Sequence, residues 1–400
     1  MVAPRKIGVI GCGNISYTYL NNLVNTFHIV DVAAIADLHP EKVQRRSEQF
    51  GGLKISTMED ILADPEIEVV LNITEIKKHP AISEAILKAG KHVHSEKMMA
   101  TTFEGGKKLV ELAKSKGLRF GQAPDTFLGG GLQTCRYILD KGLIGEPISM
   151  HAMCMRGGGR LFGDRAWTES PSFLEQGGGI PYDMGGYYIY AMINMLGPVA
   201  RVAGFGRTLS DISEFGNVRH PDYGKEFTIG SPTMMTAVLE FQNKVQANLT
   251  VMGESHVGEI PRLEIYGTEG TLIMPDPNMY HGPIYFMRGN DRTRECEKFP
   301  LTHGYGKFTP EDQFVGTAEE MSWRDSYRGL GVADLLYAIK NNRAHRCSAE
   351  MGLHALEVVH GVEESCRENI MYNMTTTCER PEALAPGYIY GTGMESVLDI

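Results

Sequence analysis

The chain has 400 residues, 42% hydrophobic and 22% charged, enough apolar material for one or two sizeable cores and too much for a disordered segment. Its 39 basic and 49 acidic residues leave a formal charge of −10, which repels a phosphate backbone and argues against a nucleic-acid partner. The seven cysteines are odd in number with no CxxC pair, and neither a signal-peptide core nor a run of ~18 apolar residues is present; the expectation is a soluble cytoplasmic protein with reduced thiols and no membrane partner.

From Lys6 to about Pro124, β-rich runs alternate with helical ones. KIGVIG precedes a helix to about Thr26, IVDVAAIAD a helix from Pro40 to Phe50, and EVVLNIT a helix from His79 to Ala89; HVHSEK then precedes a helix from Thr102 to Lys116, and LRFGQA follows. That rhythm predicts parallel βαβ units in a doubly wound sheet, with strands apolar on both faces. After Asp125 the rhythm changes. A helix from about Gly130 to Lys141 leads into ISMHAMCMR, RVAGFGRT, MMTAVLEF, KVQANLTVM, RLEIYG and TLIM, several joined by short turns. Helical segments are expected at Gly177 to Leu196, Gly329 to Asn342 and Ala349 to Glu368, and the polar stretch from Pro275 to Ser326 reads as an elaborated loop, an oligomer contact or a substrate lid. The fold expected is α/β: residues 1–124 form a nucleotide-binding domain, and residues 125–400 an α+β domain with a mainly antiparallel sheet.

The first chemical motif is GVIGCGNIS, Gly8 to Ser16, between the first strand and the first helix. Gly11 and Gly13 allow a tight turn that brings backbone N–H groups to a pyrophosphate at the helix N-terminus, and Ser16 replaces the third glycine of GxGxxG. Asp37 ends the second strand 24 residues after Gly13, where a carboxylate accepts from a ribose diol and repels a 2′-phosphate; with no arginine in the next two residues, NAD is preferred to NADP. In KHVHSEKMM the strand end delivers Glu96 and Lys97 to the ligand edge of the sheet, where a lysine beside a cationic nicotinamide is expected to have a depressed pKa and to pass a proton to or from a carbonyl oxygen. His92 and His94 share a strand face without a third ligand, so no metal is expected. GGGIPYDMGGYY places Asp183 and Tyr187 at i and i+4 on one helix face, suited to a hydroxyl-bearing substrate. Asp125, His151, Arg156, Arg160 and Trp167 are candidates for binding a sugar ring through charge, bidentate donors and an aromatic face.

The GCGNIS turn, Asp37, the Thr74 to His79 stretch, SEK at Ser95 to Lys97, and GGG followed by Asp183 resemble the glucose-fructose oxidoreductase and inositol dehydrogenase (Gfo/Idh/MocA) family. The resemblance implies a Rossmann domain, an open-faced second domain, an NAD(P) cofactor between them, and homo-oligomers built through the second-domain sheets. The cofactor set it implies is Gly11, Cys12, Gly13, Asn14, Ile15, Asp37, Thr74, His79, Glu96, Lys97 and Gln122. The family's Glu-Lys-Pro motif falls on Glu96, Lys97 and Met98, and its aspartate on Asp183, but its histidine falls on Tyr187 and a further aspartate on Tyr190. Two versions stay open: Tyr187 replaces the imidazole with a phenol pKa lowered by Lys97 and the nicotinamide, or Lys97 alone transfers the proton while Tyr187 and Asp183 orient the sugar. The second is favoured. The run FGDRAWTESPSFLEQGGG resembles a branch acting on sugars or glycosides, some at the C3 hydroxyl. The activity implied is NAD-dependent oxidation of a secondary hydroxyl, most plausibly at C3; the alternatives are a glycosidase acting through transient C3 oxidation, an inositol dehydrogenase, and an NAD-binding regulator.

Overall fold

A computed structural model of the chain describes residues 2–157, 177–215, 218, 222–255, 262–289, 295–306, 326–387 and 395–400, excepting the side chains of residues 156–157 and 254–255. The N-terminal part runs β1 (Arg5–Ile10), α1 (Ser16–Asn25), β2 (Val30–Ala36), α2 (Pro40–Gln49), α3 (Met58–Ala63), β3 (Val69–Asn72), α4 (His79–Lys88), β4 (His92–Ser95), α5 (Phe103–Ser115) and β5 (Phe120–Gln122). Its five strands form a parallel sheet in the order β2-β1-β3-β4-β5. All four residues of β3 are buried, as a strand covered by helices on both faces requires. The short helix α3 was not anticipated from the sequence; its six residues are too few for a clear apolar period, and Thr57 caps it by accepting from the Asp60 N–H.

The second part contains α6 (Gly130–Asp140), β6 (Pro147–Gly157), α7 (Gly179–Leu196), β7 (Val199–Arg207), β8 (Ile212–Glu214), β9 (Glu226–Thr228), β10 (Met234–Phe241), β11 (Gln246–Ser255), β12 (Arg262–Gly267), β13 (Gly270–Met274), β14 (Ile284–Arg288), β15 (Glu297–Phe299), α8 (Leu330–Lys340), α9 (Ala349–Glu368) and β16 (Tyr372–Asn373). Nine of its strands form one sheet, β15-β14-β13-β12-β6-β11-β10-β7-β16. Every pairing in it is antiparallel except β6 with β11. The stretch expected as an irregular loop holds β14 and β15, short outer strands with too few residues to show a period of two.

One face of this sheet packs on helices. Met150, Ala152 and Cys154 of β6 and Leu249 and Val251 of β11 are buried there, and a Cβ added at Gly185 of α7 would touch Val251. The other face is open. Helix α9 serves both sheets: a Cβ at its Gly352 would reach the Gln122 side chain at the end of β5, and one at its Gly361 would reach Val202 of β7. The Gln122 N–H also donates to Cys347 O over 2.9 Å, tying the segment before α9 to the edge of the first sheet.

Candidate active site

After β1 the chain turns through Gly11 with φ +108°, and a Cβ there would sit 2.6 Å from Ile73 O, so only glycine fits. A Cβ on Gly13 would meet nothing within 4 Å, which leaves open space in front of α1. The start of α1 has no side-chain cap and no acidic residue in its first turn; the Ser16 and Tyr17 N–H groups donate to Gly13 O at 3.2 Å and Asn14 O at 3.4 Å, and the positive end of the helix is left to favour an anion. Asp37, partly exposed at the end of β2, accepts from Cys12 N at 2.6 Å and from His39 N at 2.8 Å and keeps further lone pairs for a ribose diol. Asn14 is exposed and Ile15 partly so at the mouth of this space. Together these features fit a dinucleotide. Cys12 contributes only backbone, because its side chain is fully buried and burial pushes its thiol up to about 12.

Thr74 follows β3 beside Gly11, its hydroxyl donating to Asn72 Oδ1 at 2.7 Å. His79 is buried, with Nδ1 2.9 Å from Met98 O and Nε2 3.0 Å from Thr74 O, so both ring nitrogens are engaged inside the protein. It braces the loops after β3 and β4 rather than facing a cofactor. Gln122 is also buried; its Nε2 donates to Glu96 O at 2.9 Å, while its Oε1 has no hydrogen-bond partner among the described residues.

At the end of β4 the carboxylate of Glu96 is buried, accepting from Tyr19 Oη at 2.8 Å and from Lys97 N at 2.9 Å. Burial opposes its charge, but Lys97, Arg328 and Tyr19 outweigh that and keep it below its ordinary value. Glu96 thus shapes the base of the site instead of projecting to the cofactor as expected. Lys97 Nζ forms an ion pair with Asp183 Oδ1, and the two side chains are 12% and 14% exposed, shielded yet reachable. Burial works against the ammonium, but Asp183, Tyr187 and Glu96 hold Lys97 above its usual range. The ammonium lies 5.1 Å from the centre of the Tyr187 ring, within cation–π range. Met98, at the family's proline position, has its sulfur where a Cβ on Gly186 would reach it at 3.6 Å, so the glycines of α7 let this helix approach the Lys97 loop.

The structure thus brings Lys97, Asp183 and Tyr187 together, with Asp183 and Tyr187 on one side of α7. It does not support a phenol poised to ionise. Burial raises the Tyr187 pKa more than Arg328 and Lys97 lower it. Its hydroxyl oxygen accepts from Arg328 Nη2 at 2.8 Å, and the same nitrogen donates to Asn278 Oδ1 at 2.9 Å. Arg328 and Asn278 were missed: Asn278 lies in the polar stretch without periodicity and Arg328 two residues past its end, and no local motif marks them.

Two substrate candidates are reassigned. Asp125 is fully buried, accepting from Tyr280 Oη at 2.6 Å and from the Gly329 and Gly331 N–H groups at 2.9 Å each, so its acceptors anchor the start of α8. His151 sits on the open face of the large sheet, stacked edge-on to Tyr266 and 3.1 Å from Asn248 Nδ2, while its neighbours Met150 and Ala152 face the helices. The pleat directs it away from Lys97. Arg160, Trp167 and the side chain of Arg156 lie outside the described residues. Among the described residues no group of three or more His, Cys, Asp or Glu could hold a metal ion.

Residues 5–123 match the model for an oxidoreductase family with an NAD-binding Rossmann fold, and residues 132–273 match the GFO/IDH/MocA C-terminal domain. An inositol 2-dehydrogenase/D-chiro-inositol 3-dehydrogenase of Lactiplantibacillus plantarum is 32% identical over 155 residues, 36% of this chain and 42% of the relative. A dTDP-3,4-didehydro-2,6-dideoxy-α-D-glucose 3-reductase of Actinomadura kijaniata is 25% identical over 302 residues, 74% of this chain and 82% of the relative. The first curated relatives are matched over only about half of their length or less. Levoglucosan dehydrogenase, solved with NADH and L-sorbose, superposes with a TM-score of 0.76 at 18% identity, covering 94% of this chain and all of that one, a likeness of fold.

Proposed function

The chain belongs to the Gfo/Idh/MocA family of NAD-binding oxidoreductases, and on that premise we propose that it moves a hydride between NAD and a secondary carbon of a sugar or glycoside. The observation that carries this reading is the Lys97–Asp183 ion pair, its side chains 12% and 14% exposed, with Lys97 following β4 at the same edge of the parallel sheet from which the glycine turn leaves β1. C3 is the favoured carbon, supported by the sugar 3-reductase among the relatives. When bound, NAD supplies the hydride chemistry at its nicotinamide ring. Gly11, Gly13 and the start of α1 hold the pyrophosphate, and Asp37 holds the adenosine ribose.

Lys97 carries the proton at Nζ, Asp183 fixes the ammonium, and Tyr187 orients the ring through a hydroxyl that stays neutral. With Arg328 donating to the phenol oxygen, the Tyr187 hydrogen is free to turn toward a substrate oxygen. Because Lys97 rests as an ammonium, it protonates the oxygen of a ketone directly. Oxidation of the alcohol first requires that proton to leave, so oxidation speeds up as pH rises while reduction does not.

The test is to incubate the protein and its Lys97→Ala variant with NAD and a panel of free sugars, inositols and glycosides, following NADH and the product. Lys97→Ala is expected to bind NADH normally and lose turnover by on the order of 10²–10⁴-fold. Near-normal turnover in that variant rejects the assignment, and aglycone release without NADH accumulation moves the activity to a glycosidase.

We also propose that two copies join through the open face of the large sheet. Phe205 is 76% and Val238 59% exposed there, two register positions apart on β7 and β10, with Tyr266 and Tyr285 exposed on the far strands of the same face.

A further inference from the structure

Among the described residues the largest side chain fully removed from solvent is a cation, Arg46 of α2, and it lies directly behind the glycine turn. Its Nε donates to Ser16 Oγ at 2.8 Å, and its Nη2 donates to Gly13 O at 3.1 Å and Asn14 O at 3.5 Å. Its Nη1 is held by Gln49 Oε1 at 2.7 Å, and its guanidinium carbon lies 5.6 Å from the centre of the Tyr17 ring. Ser16 is itself fully buried, and its hydroxyl donates to Gly13 O at 2.5 Å while accepting from Arg46.

The guanidinium therefore gathers the oxygens of positions 13, 14 and 16 onto the inner side of the turn. In a trans peptide the N–H opposes the carbonyl, so Gly13 and Asn14 carbonyls drawn inward direct the Asn14 and Ile15 N–H groups outward, while those of Cys12, Ser16 and Tyr17 are bonded within the protein. Ser16 stands where GxGxxG has its third glycine, and a buried hydroxyl there needs a partner that a glycine would not. Gly13 O takes its hydrogen and Arg46 Nε fills its acceptor side. Its charge also adds to the positive end of α1, in the sense that favours a phosphate.

We propose that Arg46 and Ser16 act as one positioning device, absent from the glycine fingerprint itself, which presets the turn for the pyrophosphate of the dinucleotide. Arg46 does not touch the dinucleotide; it acts through the turn. The proposal depends on NAD binding alone and is independent of which sugar is the substrate.

The test is binding: titration of NADH fluorescence, with adenosine as a phosphate-free competitor, on the wild-type chain and the Arg46→Met, Arg46→Lys, Ser16→Ala and Ser16→Ala/Arg46→Met variants. Arg46→Met is expected to weaken NADH by about tenfold, with the loss shrinking as salt is added, while adenosine changes by less than about twofold. Arg46→Lys restores part of the loss, and Arg46→Met costs less in the Ser16→Ala background than alone. Unchanged NADH binding in a folded Arg46→Met chain overturns the proposal, as do equal losses for NADH and adenosine or additive losses in the double variant. Should Arg46→Met fail to fold, Ser16→Ala, which hardly alters volume, decides alone: selective loss of NADH supports the device and unchanged NADH binding overturns it.

Discussion

At the scale of single residues, His354 shows how a buried group reports on pH without taking part in chemistry. Its Nε2 accepts from Val199 N at 2.9 Å, which fixes the proton on Nδ1, 3.0 Å from Thr376 Oγ1. Protonating Nε2 would break the first bond inside the core, and burial drives the pKa from 6.5 down to about 4. A histidine depressed in the folded state stabilises above its unfolded pKa and loses that contribution as pH falls, here between about 6.5 and 4. Stability should therefore drop over that window by up to about 1.4 kcal/mol per pH unit for this group. His94, also buried and depressed to about 4, adds a parallel loss. His354→Gln preserves an acceptor and a donor without titrating, so urea midpoints measured at pH 7 and pH 5 should differ less in that variant than in the wild type. An identical pH dependence would refute the argument. None of this was legible in the chain, because a histidine inside a helical run looks the same whether solvated or buried.

Elements tell a different story, since the glycine-rich start of α7 was legible as a close approach but not as to what. Gly177 has φ +79°, and a Cβ there would fall 2.5 Å from Thr101 O in the loop that follows Lys97. This contact places the segment before α7 against the loop that follows Lys97. Gly177→Ala is expected to cost about 1–3 kcal/mol by combining left-handed strain with the clash, and to lower turnover more than NADH affinity. Gly197, past the other end of α7, has φ +84° but its nearest neighbour is 3.9 Å from an added Cβ. There φ +84° with ψ −162° is a conformation essentially confined to glycine, so an alanine should cost about 1–3 kcal/mol by backbone strain alone. Denaturant titration and turnover of both variants check the contrast: Gly197→Ala should lower stability without lowering turnover, and equal losses of turnover would show that the approach to Thr101 carries no weight. The helical segments α1, α2 and α4 to α9 were readable because each carries a period or a cap; Thr102 and Ser348, for example, accept from Gly105 N and Met351 N.

For the whole molecule, the decisive feature is the division of the large sheet into a helix-covered face and an open one. Side chains alternate along each strand, so Val202 turns toward α9 while Phe205 turns outward, and the same alternation explains the misplacement of His151. The proposed second copy would cover the outward face that bears Phe205 and Val238. The variant Phe205→Glu/Val238→Lys should lower the molecular mass seen by light scattering from that of an oligomer to that of one chain, with NADH binding retained. A wild-type chain that is already monomeric at micromolar concentration would remove this proposal.

By itself the sequence determined the parallel sheet, the glycine turn and the acidic end of β2, and it singled out the lysine and aspartate of the candidate site, because each rests on local periodicity or on residue types at fixed spacing. Tertiary structure alone decided that Arg328 would hold the Tyr187 phenol, that Arg46 would sit behind the turn, and that Asp125 would be spent on the start of α8. Those partners lie 141, 33 and 204 positions apart in the chain. The physical reason is that a buried polar group must find its hydrogen bonds wherever the packing brings a partner, and no local pattern records where that is.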